Sequence, residues 1–170
     1  MKSVIFCCLC LLVVSPNAQT IKAYIDNNWP DNRYTISGDG TVTDRVTGLM
    51  WQQCPQGLSG SDCAVGSATS HTWQEALQLV VSDNTAGHTD WRLPNVKELR
   101  SVAAYDRSGP SINTVVFPNT GSSSYWSSSP ASGQNSWAYN FNHGFSGSPT
   151  SRGQSARVRL VRGGNLHWWQ

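Results

Sequence analysis

Four histidines, two glutamates and one late serine are the residues through which this chain would act on a substrate if it were an enzyme. His71, His88, His143 and His167 fall into no H-E-x-x-H or comparable ligand spacing. Gly144-Phe145-Ser146-Gly147-Ser148 approaches the G-x-S-x-G nucleophile elbow but ends on serine, and no strand-then-helix pattern surrounds it. Glu75 and Glu98 each stand three residues after a Thr or Asn, where a helix cap uses them. No nucleophile, base and orienter come together, so the expectation is a chain that is not an enzyme and carries no cofactor.

Binding chemistry is better supplied. A sugar needs aromatic faces and amide or hydroxyl hydrogen-bonders, with cations added if it is sulfated. Asn140, Asn142, His143, Arg152, Arg157 and Arg159 offer these from the late part of the chain. Asp90 and Arg92, close together in DWRLP, read as an ion pair pinning a strand to a helix.

The elements that would position these residues follow from spacing. YTISGDGTVTDRVTGLMWQ reads as strands over 34–36, 41–43 and 49–52, bent at Asp39-Gly40 and Thr47-Gly48. Thr72 and Glu75 form a capping box ahead of a helix burying Trp73, Ala76, Leu77, Val80 and Val81. Asn95 and Glu98 open a second helix, which turns Val96, Leu99, Val102 and Ala103 inward and ends near Tyr105.

Three late strands follow, over 124–128, 136–142 and 157–161. Trp137, Tyr139 and Phe141 alternate with Ala138, Asn140 and Asn142, the period-2 sign of a half-buried strand. Val158 and Leu160 would point inward, and Arg157 and Arg159 outward. HGFSGSPTSRGQSA, between the last two strands, reads as an exposed loop, and the serines of SSSYWSSSP as small positions that leave a surface open. The expected core holds Trp51, Trp73, Trp91, Trp126, Trp137, Tyr139 and Phe141. Two helices bracketed by early and late strands give an α+β fold.

Composition narrows the setting. Charged residues make up 13% of the 170 residues and the formal net charge is +2, which argues against nucleic acid as a partner. Residues 1–18, with Lys2, an apolar run over 4–14 and Ala18, have the layout of a secretory signal peptide, too short to span a bilayer. A lipid anchor at Cys10 is the rival reading. Cys7, Cys8 and Cys10 leave with this segment, so Cys54 and Cys63 remain as a pair in an oxidising compartment and are expected to form a disulfide. Residues 19–33 form an N-terminal arm, 34–163 the domain and 164–170 a tail. In that tail Trp168 and Trp169 either pack back or meet a partner.

TVTDRVTGLMWQ, DWRLPNVKEL, YWSSSP and RVRLVR occur in an order that resembles the Lcl C-terminal domain family, over residues 34 to 163. The resemblance implies a C-type-lectin-like fold: two helices packed on a twisted antiparallel sheet with a long loop region. Members are similar to bacterial adhesins that bind polysaccharides, sulfated ones included, and some are trimers. The Gly-X-Y stalk that builds that trimer is absent from this sequence, so an oligomer is possible but not indicated.

Calcium, which many C-type lectins use to hold sugar, is not expected. Leu93-Pro94-Asn95 and Trp29-Pro30-Asp31 lack the ligand arrangement, and turns and caps account for Asp26, Asn27, Asp31, Asp39 and Asp44.

The late segment is also similar to the variable region of diversity-generating retroelement targets. By that likeness Trp126, Trp137, Tyr139 and Phe141 are framework, and Ala138, Asn140, Asn142, His143 and Phe145 are display positions. The sequence thus points to an exported, adhesin-like binding module that recognises carbohydrate through its late strands and loop. The alternatives are a protein-binding display scaffold and a structural subunit of a surface assembly.

Overall fold

The computed structural model describes residues 19–144 and 147–163. Residues 1–18, expected to be a signal peptide, Phe145, Ser146, and the tail with His167, Trp168 and Trp169 lie outside the described residues. The chain runs through β1 (Thr20–Ile21), β2 (Tyr34–Ile36), β3 (Thr41–Asp44), β4 (Leu49–Gln52), β5 (Leu58–Ser59), β6 (Val65–Gly66) and β7 (Ser70–His71). Helices α1 (Trp73–Ser82) and α2 (Val96–Ser101) follow, then β8 (Arg107–Ser108), β9 (Ser124–Pro130), β10 (Asn135–Asn140), β11 (Gly147–Ser151), β12 (Ala156–Arg157) and β13 (Val161–Gly163). This is an α+β fold with two main sheets: β13-β4-β3-β2, all antiparallel, and β11-β10-β9-β12-β7, in which only the β12–β9 pair is parallel.

The early meander forms where its turn residues dictate. Asp39 accepts from the Thr41 backbone N–H and hydroxyl (3.0 and 2.6 Å), closing the β2–β3 turn. Asp44, fully buried, takes a forked bond from Arg33 (2.9 and 2.6 Å) and holds the next turn through Val46 and Thr47.

Both capping boxes are complete: Thr72 with Glu75 starts α1, and Asn95 with Glu98 starts α2. On α1, Ala76 is buried and Trp73, Leu79 and Val80 pack on the core, while Leu77 and Val81 are 37% and 88% exposed. The apolar stripe is therefore rotated toward Leu79 from the one expected. α2 also stops at Ser101, short of Tyr105.

The central sheet is covered on both faces. Tyr125 and Tyr139 join Leu99 of α2, Trp51 and Phe141 in one buried cluster. Their chain neighbours Trp126 and Ala138 join Ala76 of α1, Trp91 and Leu160 in another. Strict alternation of buried and exposed residues fails here because no face of β9 and the neighbouring half of β10 is left to water.

The serines of YWSSSP have a different use from the open surface expected. The β9–β10 register shifts between Ser136 and Ala138, so β9 bulges opposite Trp137. Ser127 Oγ donates to the Trp137 carbonyl (2.6 Å), Ser128 N–H to that of Pro94 (2.8 Å), and Ser129 Oγ accepts from Val96 N–H (3.0 Å). The serine run thus ties β9 to the start of α2.

One further expectation is corrected. The stretch read as a loop contains β11, an edge strand whose Pro149 lies opposite Trp137, a position a proline tolerates at a sheet edge. The N-terminal arm is anchored by Trp29, 8% exposed, whose indole N–H donates to the Ser101 carbonyl (2.9 Å) and whose ring meets Tyr105 edge-on.

Candidate functional site

The residues expected to form a single outward face are divided by the fold. Ala138 is buried against α1, so it displays nothing. Asn140 and Asn142 are half-buried: Asn140 donates to Ser124 Oγ (3.2 Å) and accepts the Asn142 N–H (2.7 Å), and the Asn142 amide meets the His143 ring nitrogen (2.9 Å). His143 is exposed, and Phe145 lies outside the described residues.

Arg159 corrects the picture most sharply, being 1% exposed. Residues 158–161 are all buried because the chain crosses there from the five-stranded to the four-stranded sheet, between β4 and the core. The Arg159 guanidinium donates to the carbonyls of Gln52 (2.7 Å) and Gln53 and to Thr120 Oγ1 (2.6 Å), and lies over the Phe117 ring. Burial pushes its pKa down to about 10, still far enough above neutrality to keep it charged. Arg157, half-buried, donates to the Ala68 carbonyl. Both arginines fasten the segment around the disulfide instead of facing solvent.

The ion pair is also redrawn. Arg92 forks onto Glu98 (2.8 and 2.7 Å), and Asp90 pairs with Arg162 (2.7 Å). Glu98 is already held in place by the capping box and presents both oxygens. Asp90 instead reaches across the Arg92↔Val161 bridge to the residue after Val161.

Of the expected core aromatics, Trp51, Trp91, Trp126, Tyr139 and Phe141 are buried, whereas Trp73 and Trp137 are half-buried. Trp137 lines an open cleft of about 500 Å³ on the α2 side of β10, with Val96, Lys97, Arg100, Tyr105 and Tyr139. Gly147 makes that geometry possible: a Cβ there would lie 2.7 Å from Val96 and 3.2 Å from the Trp137 ring. Arg100 donates to the Tyr105 hydroxyl (3.0 Å), and Tyr139 to the Gly144 carbonyl (2.8 Å). Burial raises the Tyr139 phenol above its ordinary pKa, helped by the neighbouring Tyr105, so it stays a neutral donor. The cleft therefore combines an indole, two phenols and two cationic side chains.

Lys97, Arg100 and Tyr105 were not among the expected site residues. The signal lay in the helix itself: Lys97 and Arg100, three apart, share the face of α2 opposite buried Leu99.

A second cleft, of about 540 Å³, lies between the β2–β3 turn and the disulfide loop. Four of its polar side chains are bonded to one another. Gln52 donates to Asp83 (2.8 Å) and Thr85 (3.0 Å), and Gln56 to Gln52 and Asp83 (2.8 and 3.0 Å). No aromatic ring among the described residues lines it, so its geometry is that of a structural network. The Cys54–Cys63 disulfide is formed, and Asn119 braces it by donating to the Asp62 and Cys63 carbonyls (3.1 Å each). Among the described residues, no three His, Cys, Asp or Glu side chains gather as a metal site would require.

The model of the Lcl C-terminal domain family matches residues 40–162. The chain belongs to that family. Every residue named in the Trp137 cleft falls inside the matched Lcl C-terminal domain, whereas the β2–β3 turn of the polar cleft begins outside it. No curated protein matches the chain.

Proposed function

We propose that this Lcl C-terminal domain is an exported, non-enzymatic, C-type-lectin-like module that binds carbohydrate, acidic polysaccharide in particular, in the cleft between α2 and β10. The observation that carries the reading is Trp137, an aromatic at a core-type position that the fold leaves half-open beside Tyr105, Lys97 and Arg100. An indole face packs against the C–H face of a sugar ring, and guanidinium and ammonium groups take its carboxylate or sulfate. Export is supported by the disulfide, which persists in oxidising compartments. No helix of the described residues is long and apolar enough to cross a membrane.

A glycan array of neutral, uronate and sulfated chains, read at low and moderate salt, tests this. Acidic glycans should bind at about 0.01 M salt and lose much of their signal at about 0.15 M, as the screening length falls from roughly 30 to 8 Å. Lys97→Gln/Arg100→Gln should weaken that binding. An array blank at both salts would contradict the reading.

A further inference from the structure

We propose that the domain has a second, separate site for an acidic sugar on the opposite face of the five-stranded sheet, so that one chain holds two glycan segments at once. The inference rests on the Trp137 cleft being a sugar site and adds a second one to it.

The two faces of β10 part its neighbouring residues. Trp137 and Tyr139 line the α2-side cleft, while Ser136 and Ala138 turn toward α1. On that α1 side lies a cleft of about 440 Å³, lined by Thr72, Trp73, Gln74, Leu77, Arg152 and Gly153. Arg152, just past the end of β11, stacks its guanidinium 4.4 Å from the centre of the Trp73 ring.

Both partners of the stack are fixed. The Trp73 indole N–H donates to the Ser127 carbonyl (2.9 Å), and Arg152 Nε donates to Ser136 Oγ (2.9 Å). The backbone of Arg152 is held as well, its N–H by the Gln134 carbonyl and its carbonyl by the Trp73 N–H (3.1 Å each).

What remains of Arg152 is its outer fork. Nη1 and Nη2 make no hydrogen bond among the described residues, and a planar fork held in place matches the two oxygens of a carboxylate or sulfate. The stack removes rotamer freedom before any ligand arrives, which lowers the cost of binding. Thr72 and Gln74 add neutral hydrogen-bonding groups, and Leu77, 37% exposed, adds an apolar surface for the ring. Among the described residues, no carboxylate lines the cleft to repel an anion. Glu75, the nearest acid in the chain, is folded back onto the Thr72 N–H (2.8 Å). A polymer with repeating acidic sugars would thus be gripped on both faces of the sheet, and two polymer chains would be bridged by one protein.

The test is calorimetric titration of the protein with short oligogalacturonate, with sulfated dextran oligomers and with uncharged dextran oligomers, followed by turbidity with the long polymers. The wild type should take up two short acidic oligomers per chain and none of the uncharged one. The oligogalacturonate and sulfate arms show which acid the sites prefer. Arg152→Gln should leave one oligomer per chain and abolish turbidity. Leu77→Glu, which sets a like charge in the cleft on a side chain 37% exposed, should do the same while the unfolding midpoint stays close to wild type, which separates loss of the site from loss of the fold. One oligomer per wild-type chain, unchanged in both variants and lost in Trp137→Ala, would overturn the second site and leave the first standing. No uptake by the wild type would overturn both.

Discussion

Strand β10 runs between two unlike neighbourhoods. On its inner side, β9 and the crossing from β12 to β13 are sealed: Tyr125, Trp126, Val158, Arg159 and Leu160 are all at most 1% exposed. On its outer side, the edge strand β11 leaves Trp137 and Arg152 half-open in two clefts. The same residue types, aromatic and arginine, therefore do opposite jobs within one sheet. In the interior Arg159 ties two carbonyls and a hydroxyl together and holds the layers in place. At the edge Arg152 keeps donors for a ligand. What separates the two is whether a second layer lies over the residue, which neither residue type nor local alternation records.

The contrast can be broken first at Arg159. Arg159→Ala removes three hydrogen bonds and the contact with Phe117, leaving buried carbonyls unpaired. It should destabilise the fold by about 3 to 5 kcal/mol in urea unfolding, while the folded fraction keeps its sugar affinity. Loss of affinity without loss of stability would place Arg159 on the binding face after all.

A middle-sized effect separates the two ion pairs. Glu98→Ala removes both the fork to Arg92 and the carboxylate half of the α2 capping box, and should cost about 2 kcal/mol. Asp90→Ala, whose carboxylate is 59% exposed, should shift the unfolding midpoint barely beyond error. Equal effects would mean that Asp90 is the structural partner.

The smallest effect concerns acid. Burial pushes the Asp83 carboxyl upward, but hydrogen bonds from Thr85, Gln52 and Gln56 outweigh it and hold the group below its usual value. The stability it contributes is present above about pH 4 and lost as pH falls through the lowered folded value. Asp83→Asn should therefore flatten the acid side of the unfolding profile between about pH 5 and pH 2. An unchanged slope would show that the network around the disulfide loop does not depend on that charge.

Much of the frame was legible because its signals are local. The turns at Asp39 and Gly48, both capping boxes and the cysteine pair each need only a few consecutive residues, and the structure places all of them where the spacing does. The misreadings share one cause, which is non-local. Alternation puts Ala138 and Arg159 outward only where one face stays open, and α1 and the four-stranded sheet close it. Asp90 and Arg92 were paired by nearness in sequence, although Glu98 and Arg162 are brought closer by the cap and the bridge. Lys97 and Arg100 lie off the buried stripe of α2, which is the only face that apolar spacing marks.

The account stands or falls on Trp137, and the direct measurement is the affinity of Trp137→Ala for the best acidic glycan, taken beside its unfolding midpoint. A half-exposed ring that serves a ligand should give at least a roughly tenfold loss of affinity at the α2-side cleft, about 1.4 kcal/mol or more, with a midpoint close to wild type. Wild-type affinity in a variant whose stability has collapsed would show instead that Trp137 is a core residue and that the binding face lies elsewhere.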